Sequence, residues 1–300
     1  MITSYFIPPH PTLSPFVINY ILCTSENEIV TFNGNWPASN ETSIVFYLQD
    51  HPSHLFKHSD SGLSNKRSCI IGPLPQCNGI VYFTGMYHTF MIQFKANGFH
   101  KIFGIPCNEI TNKIYCSDDV FGSIVNSLHE QLLDATSFQQ MAVFADAFLT
   151  AFLNRRKAAY IYDGITAVAN ELVHACQVLS TNQYAYKANM SVRTFERKFI
   201  QQVGISPKLY SKLLRFNEAM LMKSMHPGKN WTSIAYDCNY YDQMHLIKDF
   251  KQFSGYTPTE FFQENKILNR GDTNSQVVDS AKPNYNLSQE KFVFIKRVSF

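Results

Sequence analysis

Arg193 and Arg197 stand four residues apart, with Thr194 and Lys198 beside them and Gln201 one step further on. On a helix, that spacing puts both guanidinium groups on one stripe. A planar guanidinium can bond guanine bidentately or hold a phosphate. The other side of the same segment carries Val192, Phe195, Phe199 and Val203, an apolar face for a core. About fifty residues later the pattern recurs with other side chains. Gln243, Ile247 and Lys251 form a stripe, Met244 and Lys248 flank it, and Leu246, Phe250 and Phe253 lie opposite. Gln pairs with adenine, and Met or Ile can meet a thymine methyl.

The elements that must position these residues are themselves duplicated. Phe199, Gly204 and Pro207 are spaced as Phe250, Gly255 and Pro258 are, at an offset of 51 residues. Ala185 and Asn189 are spaced as Ala235 and Asn239 are, at an offset of 50. A small residue followed four positions later by one tolerant of left-handed backbone is the demand of a helix–turn–helix. Asn is the non-Gly residue best suited to that conformation. The predicted first unit has a long helix over about 162–179, a short helix capped by Ser180 or Thr181 and ending at Lys187, and a reading helix over about 191–203 capped by Ser191. Gly204 ends it as a C′ glycine, and a connecting helix runs from Pro207 to about Met225. The second unit has Trp231, Ile234 and Ala235 on its first helix and a reading helix over about 242–253 capped by Asp242. Two such helices on one chain could enter two successive major grooves.

The stretches NMSVRTFERKFIQQVGISPKLY and WTSIAYDCNYYDQMHLIKDFKQFSGYTPTEFF resemble the AraC/XylS family of transcription regulators, over about residues 165–263. The resemblance implies DNA-reading positions at Arg193, Glu196 and Arg197 in the first unit, and at Gln243, Met244, Ile247 and Lys248 in the second. The sequence departs from the family in having Asn for Gly at both turns and Leu246 where Phe is commoner. The front of the chain resembles the β-rich N-terminal domains of the same family, through FIPPHPTLSPFVINY and FKANGFHKIFGIPCNEITN. In the family such domains bind a small effector, dimerise, or both.

Charge follows the same division. Residues 1–154 carry 6 Lys/Arg against 11 Asp/Glu, and residues 155–266 carry 15 against 9. An acidic front and a basic back suit a regulatory domain joined to one that binds nucleic acid. Over 1–115, the apolar runs Phe16–Leu22, Ser43–Leu48, Gly79–Phe83 and Thr89–Phe94 alternate with turn-forming clusters and read as strands. Asn97-Gly98 reads as a turn, and 51–66 as a long polar loop. From about residue 119 the period becomes helical, with a break near 134–137 and the segment Phe138–Phe152 either covering the sheet or forming a dimer face. Arg155-Arg156-Lys157 reads as a linker or helix end. Residues 271–287 read as flexible, and 292–300 alternate partly as a strand does.

The expected fold class is therefore α+β: a β-rich (cupin-like or related) N-terminal domain with helices, then an all-α domain of two helix–turn–helix units joined by a long helix. The expected boundaries are 1–155, 160–265 and a tail at 266–300. The DNA-binding residues expected are Arg193, Thr194, Glu196, Arg197, Lys198, Gln243, Met244, Ile247, Lys248 and Lys251. Double-stranded DNA is the expected partner, with RNA polymerase, a small-molecule effector and a second copy of the chain as further candidates. No cofactor, catalytic residue or metal is expected. His51, His54 and His58 have metal-like separations but read as exposed loop histidines. The alternative, a metal-dependent cupin-type enzyme with an appended DNA-binding domain, needs His and Glu clustered on neighbouring strands. A DNA-repair alkyl transferase needs an activated Cys cluster. The seven Cys are scattered singly, which suits reduced thiols in a cytoplasm. No signal peptide or membrane span is read.

Overall fold

A computed structural model describes residues 2–55, 66–156, 163–174 and 180–268. Residues 269–300 of the predicted tail, the end of the predicted long helix over 175–179, His58 and Lys157 lie outside them, whereas 266–268 of that tail end the last helix. Among the described residues the front half is built on seven strands: β1 (Thr3–Ile7), β2 (Val17–Asn35), β3 (Ser43–Tyr47), β4 (Ser53–Leu55), β5 (Ser68–Ile71), β6 (Ile80–Phe94) and β7 (Ile114–Cys116). Their order is β1-β2-β6-β3-β5-β7, with β4 also paired to β6, and every pairing is antiparallel. Two expectations are corrected here. Gly79–Phe83 and Thr89–Phe94 are one strand, because Gly85 lies opposite Val30 and the ladder runs through it. Part of the expected 51–66 loop is strand as well, since Ser53–Leu55 pairs with Ile80–Tyr82.

Strands β3 and β5 are buried along their whole length, because the sheet has a core on each face. Ile44, Phe46, Ile70, Phe90 and Ile92 point toward one core. Val45, Tyr47, Cys69, Ile71 and Met91, at the alternate positions, point toward the other. The first core is closed by helices α1 (Gly98–Phe103), α4 (Ser123–Asp134) and α5 (Phe138–Asn154), the last contributing Met141, Ala145, Phe148 and Leu149. Thus 138–152 covers the sheet. The predicted turn at Asn97-Gly98 starts α1 instead. A Cβ at Gly98 would lie 1.9 Å from the Phe16 carbonyl oxygen, so glycine is needed there for close approach. Short helices α2 (Cys107–Ile110) and α3 (Ser117–Phe121) complete this half.

The rear half is helical: α6 (Gly164–His174), α7 (Thr181–Lys187), α8 (Val192–Val203), α9 (Pro207–Met225), α10 (Trp231–Asp237), α11 (Gln243–Ser254) and α12 (Pro258–Leu268). One core joins both units, with Phe195, Phe199, Phe216, Phe250 and Phe253 fully buried. The connecting helix α9 supplies Leu213, Phe216 and Met220 to it. Val192, expected on the apolar face, is 38% exposed, because it opens α8 at the solvent end of the face.

Candidate nucleic-acid interface

Each reading helix is launched by a side-chain cap. Ser191 Oγ accepts from the Thr194 N–H at 3.3 Å, and Asp242 Oδ1 accepts from the His245 N–H at 2.8 Å. Such caps are worth about 1 kcal/mol each. The His245 N–H holds the Asp242 carboxyl below the usual carboxylate range, so the cap is ionised at neutral pH. The preceding helices are capped in the same way, by Ser180 in a capping box with Gln183 and by Asn230.

The turns that aim the reading helices are left-handed at both Asn residues, with φ of 54° at Asn189 and 56° at Asn239. In the first, the Asn189 N–H donates to the Tyr186 carbonyl at 3.0 Å and the Met190 N–H to that of Ala185 at 3.0 Å. In the second, Asn239 donates to Tyr236 at 3.1 Å and Tyr240 to Ala235 at 2.9 Å. This paired 5→2 and 6→1 bonding is a Schellman closure. The repeat seen in the sequence is therefore a repeat of backbone geometry. Both reading helices end on a left-handed glycine, Gly204 at φ 94° and Gly255 at φ 81°.

On α8, Arg193, Glu196 and Arg197 are exposed, and Thr194 and Lys198 are half-buried. On α11, Met244, Lys248 and Lys251 are exposed, and Gln243 and Ile247 are half-buried. The large thioether of Met244 is 69% exposed, a position that no core requirement explains. Some cations away from these faces are held in ion pairs. Lys187, Lys212 and Lys229 are each paired, with Glu171, Asp249 and Asp237. Among the described residues, Arg193, Arg197, Lys198 and Lys248 make no ion pair. Cations left unpaired on one face of each reading helix are free to meet phosphate or a base edge. Gln243 is partly committed, since its Oε1 accepts from the Thr232 hydroxyl at 2.7 Å. That bond joins α10 to α11, and no spacing in the sequence points to it.

Residues 184–264 match a helix-turn-helix domain family, and residues 5–115 match a domain of unknown function (DUF6597). Among curated proteins, the HTH-type transcriptional activator RhaS of Escherichia fergusonii is 22% identical over an alignment of 246 residues that covers 78% of this chain and 81% of RhaS. RhaS of Enterobacter sp. (strain 638) is 22% identical over 242 residues, with the same two shares. The chain belongs to the AraC/XylS family. It is a DNA-binding helix–turn–helix regulator of that type. Solved structures similar to this AraC/XylS chain include the DNA-binding domain of AdpA in complex with a target DNA, 22% identical, covering 37% of this chain and 100% of that one at a TM-score of 0.34. ToxT from Vibrio cholerae O395 is 10% identical, covering 88% of this chain and 96% of that one at a TM-score of 0.43.

The remaining chemistry expected of the AraC/XylS chain falls elsewhere. Cys23, Cys69, Cys107 and Cys238 are buried in the apolar cores, Cys116 is buried beside the Asp118 carboxylate, and burial pushes the Cys69 and Cys107 thiols up to about 12. Among the described residues there is no group of three or more His, Cys, Asp or Glu that could hold a metal ion, and no helix is long and apolar enough to cross a membrane.

Proposed function

We propose that the regulator reads two successive major grooves, with α8 in one and α11 in the next, roughly 34 Å apart along the duplex. Arg193, Glu196 and Arg197 read bases in the first groove. Gln243, Met244, Ile247 and Lys248 read the second, largely through apolar contact and the free amide hydrogens of Gln243. Thr194, Lys198 and Lys251 hold backbone phosphates. The single observation that carries this reading is that Arg193, Arg197 and Lys248 stand exposed on the outer faces of the two equivalent helices of the repeat and, with Lys198, make no ion pair among the described residues. Readout is unequal: two guanidinium groups face the first groove and one ammonium with a thioether the second, so the unit around Arg197 dominates affinity.

In the same reading, residues 1–155 are the regulatory domain, 160–265 the DNA-binding domain and 266–300 a tail. A small effector or a second copy of the chain acts on the front domain and shifts DNA affinity, with RNA polymerase as the further partner in a cytoplasm. The experiment is a footprint, at stated salt, over the genomic region around the regulator's own gene. A protected site with two contacts one turn apart, lost in Arg197→Ala, is the expected result. Equal protection by wild type and Arg197→Ala would count against the assignment.

A further inference from the structure

The acidic front half grips the C-terminal ends of both reading helices. A helix leaves its last four carbonyls without an intrahelical partner. On α11, the Lys251 carbonyl accepts from the Gly255 N–H at 3.1 Å. The other three all accept from the front half. Gln252 takes the Cys77 N–H at 3.3 Å, Phe253 takes the Ala38 N–H at 2.7 Å, and Ser254 takes Asn35 Nδ2 at 3.2 Å. On α8, the Thr111 hydroxyl lies 2.7 Å from the Gly204 carbonyl oxygen, and Asn97 Nδ2 donates to Gln202 Oε1 at 3.0 Å. Between them, Asn217 of α9 donates to Asn40 Oδ1 at 2.8 Å, both side chains being buried.

The two closing glycines occupy equivalent positions of the repeat, and both face the front half. A Cβ at Gly204 would come within 2.6 Å of Thr111 Oγ1, and one at Gly255 within 2.5 Å of Asn35 Nδ2. Ala38, fully buried, belongs to the core of the helical half rather than to either core of the sheet. The strip that touches α11 is itself tied together, by the Ser39–Leu74 bridge and by the bonds between Trp36 and the 78–79 segment. None of these contacts uses Arg193, Arg197, Met244 or Lys248, which stay exposed in the first half of their helices.

We propose that the front half is the jig of the reader: docked at the C-terminal ends of α8 and α11, it holds the two reading helices at one separation, and this docked form is the form that binds DNA. Asn35, Asn40 and Thr111 are then positioning residues. They touch no base, yet they set which half-site spacing the regulator accepts. The inference rests on the two-groove reading above, and its failure differs from the failure of that reading. Losing a reading residue lowers affinity at every spacing alike, whereas losing the jig changes the spacing profile.

The experiment measures affinity of the full chain for duplexes whose two half-sites are moved apart or together by one base pair at a time. Wild type is expected to lose about tenfold in affinity for each base-pair step from its optimum, because a rigid pair cannot follow the groove. The triple variant Asn35→Ala/Asn40→Ala/Thr111→Val is expected to flatten that profile to about threefold and to bind the optimum about tenfold more weakly. Arg197→Ala is expected to keep the wild-type profile, displaced downward. A triple variant with the wild-type profile, or one that binds more tightly than wild type, overturns the proposal. The tighter binder would mean that docking restrains the reader. Hydrogen exchange on wild type gives a second reading that needs no variant. The Ala38 and Cys77 amides should exchange as slowly or more slowly on DNA, and faster exchange there would show docking released by binding, against the proposal.

Discussion

Replacing Asn189 or Asn239 by Ala tests whether the left-handed turns carry the geometry of the reader. A residue with a Cβ pays roughly 1–2 kcal/mol in the left-handed region, and Asn escapes part of this through its short polar side chain. Each turn also closes two backbone hydrogen bonds, from residues 189 and 190 in one unit and 239 and 240 in the other. These are lost if the backbone relaxes to escape the strain, at about 1 kcal/mol apiece. Each Asn→Ala variant is therefore expected to lose about 1 kcal/mol, with about 2 kcal/mol as the upper bound. The backbone bonds that close the two turns share no residue, so the double variant is expected to lose about the sum. Asn→Gly should change stability by less than about 0.5 kcal/mol, since relief of backbone strain is offset by the greater freedom of the unfolded chain. Thermal unfolding followed by circular dichroism is the assay, and about 2–4 °C of Tm per kcal/mol is expected for a folded unit of this size. Ala variants that melt with wild type would refute the argument. So would Gly variants as damaged as the Ala ones, because the Asn side chain and not its backbone would then be what matters.

Arg197→Ala should weaken specific DNA binding by about 1–3 kcal/mol and relax preference at one base pair, read by competition against a sequence library. Lys198→Ala should instead weaken binding evenly across sequences and reduce the salt slope of log affinity by about 0.9. Met244→Ala should lower affinity only for sites with thymine at its position, while leaving Tm unchanged because the side chain is largely exposed. Asp163 sits between the halves, bonded to Lys101 Nζ at 2.9 Å and to Gln202 Nε2 at 3.3 Å. Burial raises its pKa, but the Thr166 N–H and Lys101 outweigh burial and leave it lowered. Its contribution is therefore present above the usual carboxylate pKa and is lost as pH falls through the lowered value. Asp163→Asn should remove that share of acid sensitivity from the melting profile below about pH 4.

The rear half was legible because its signals are local. The Ser191 and Asp242 caps, the paired Asn turns and the closing glycines each need only a few neighbouring residues, and each sits where spacing placed it. The front half was legible only as β-rich. Strand β3 is buried on both faces, so its sequence shows a continuous apolar run and no alternation to give its register. The second half of β2 is polar and partly exposed, so the apolar run that marks the strand stops at Leu22, although the strand pairs with β6 through to Asn35. The bond from Thr232 to Gln243 and the capping of α11 by Asn35, Ala38 and Cys77 join segments that no periodicity connects. Reading-face exposure was visible in the sequence, whereas what lies behind the reading helices was not.

Selection of bound duplexes from a random library by the full chain tests the central claim most directly. Two helices in successive grooves predict a recovered site with two conserved blocks centred about 10–10.5 base pairs apart, the block under Arg193 and Arg197 rich in guanine and the more constrained of the two. A site with a single block, or no enrichment over non-specific DNA, would contradict it.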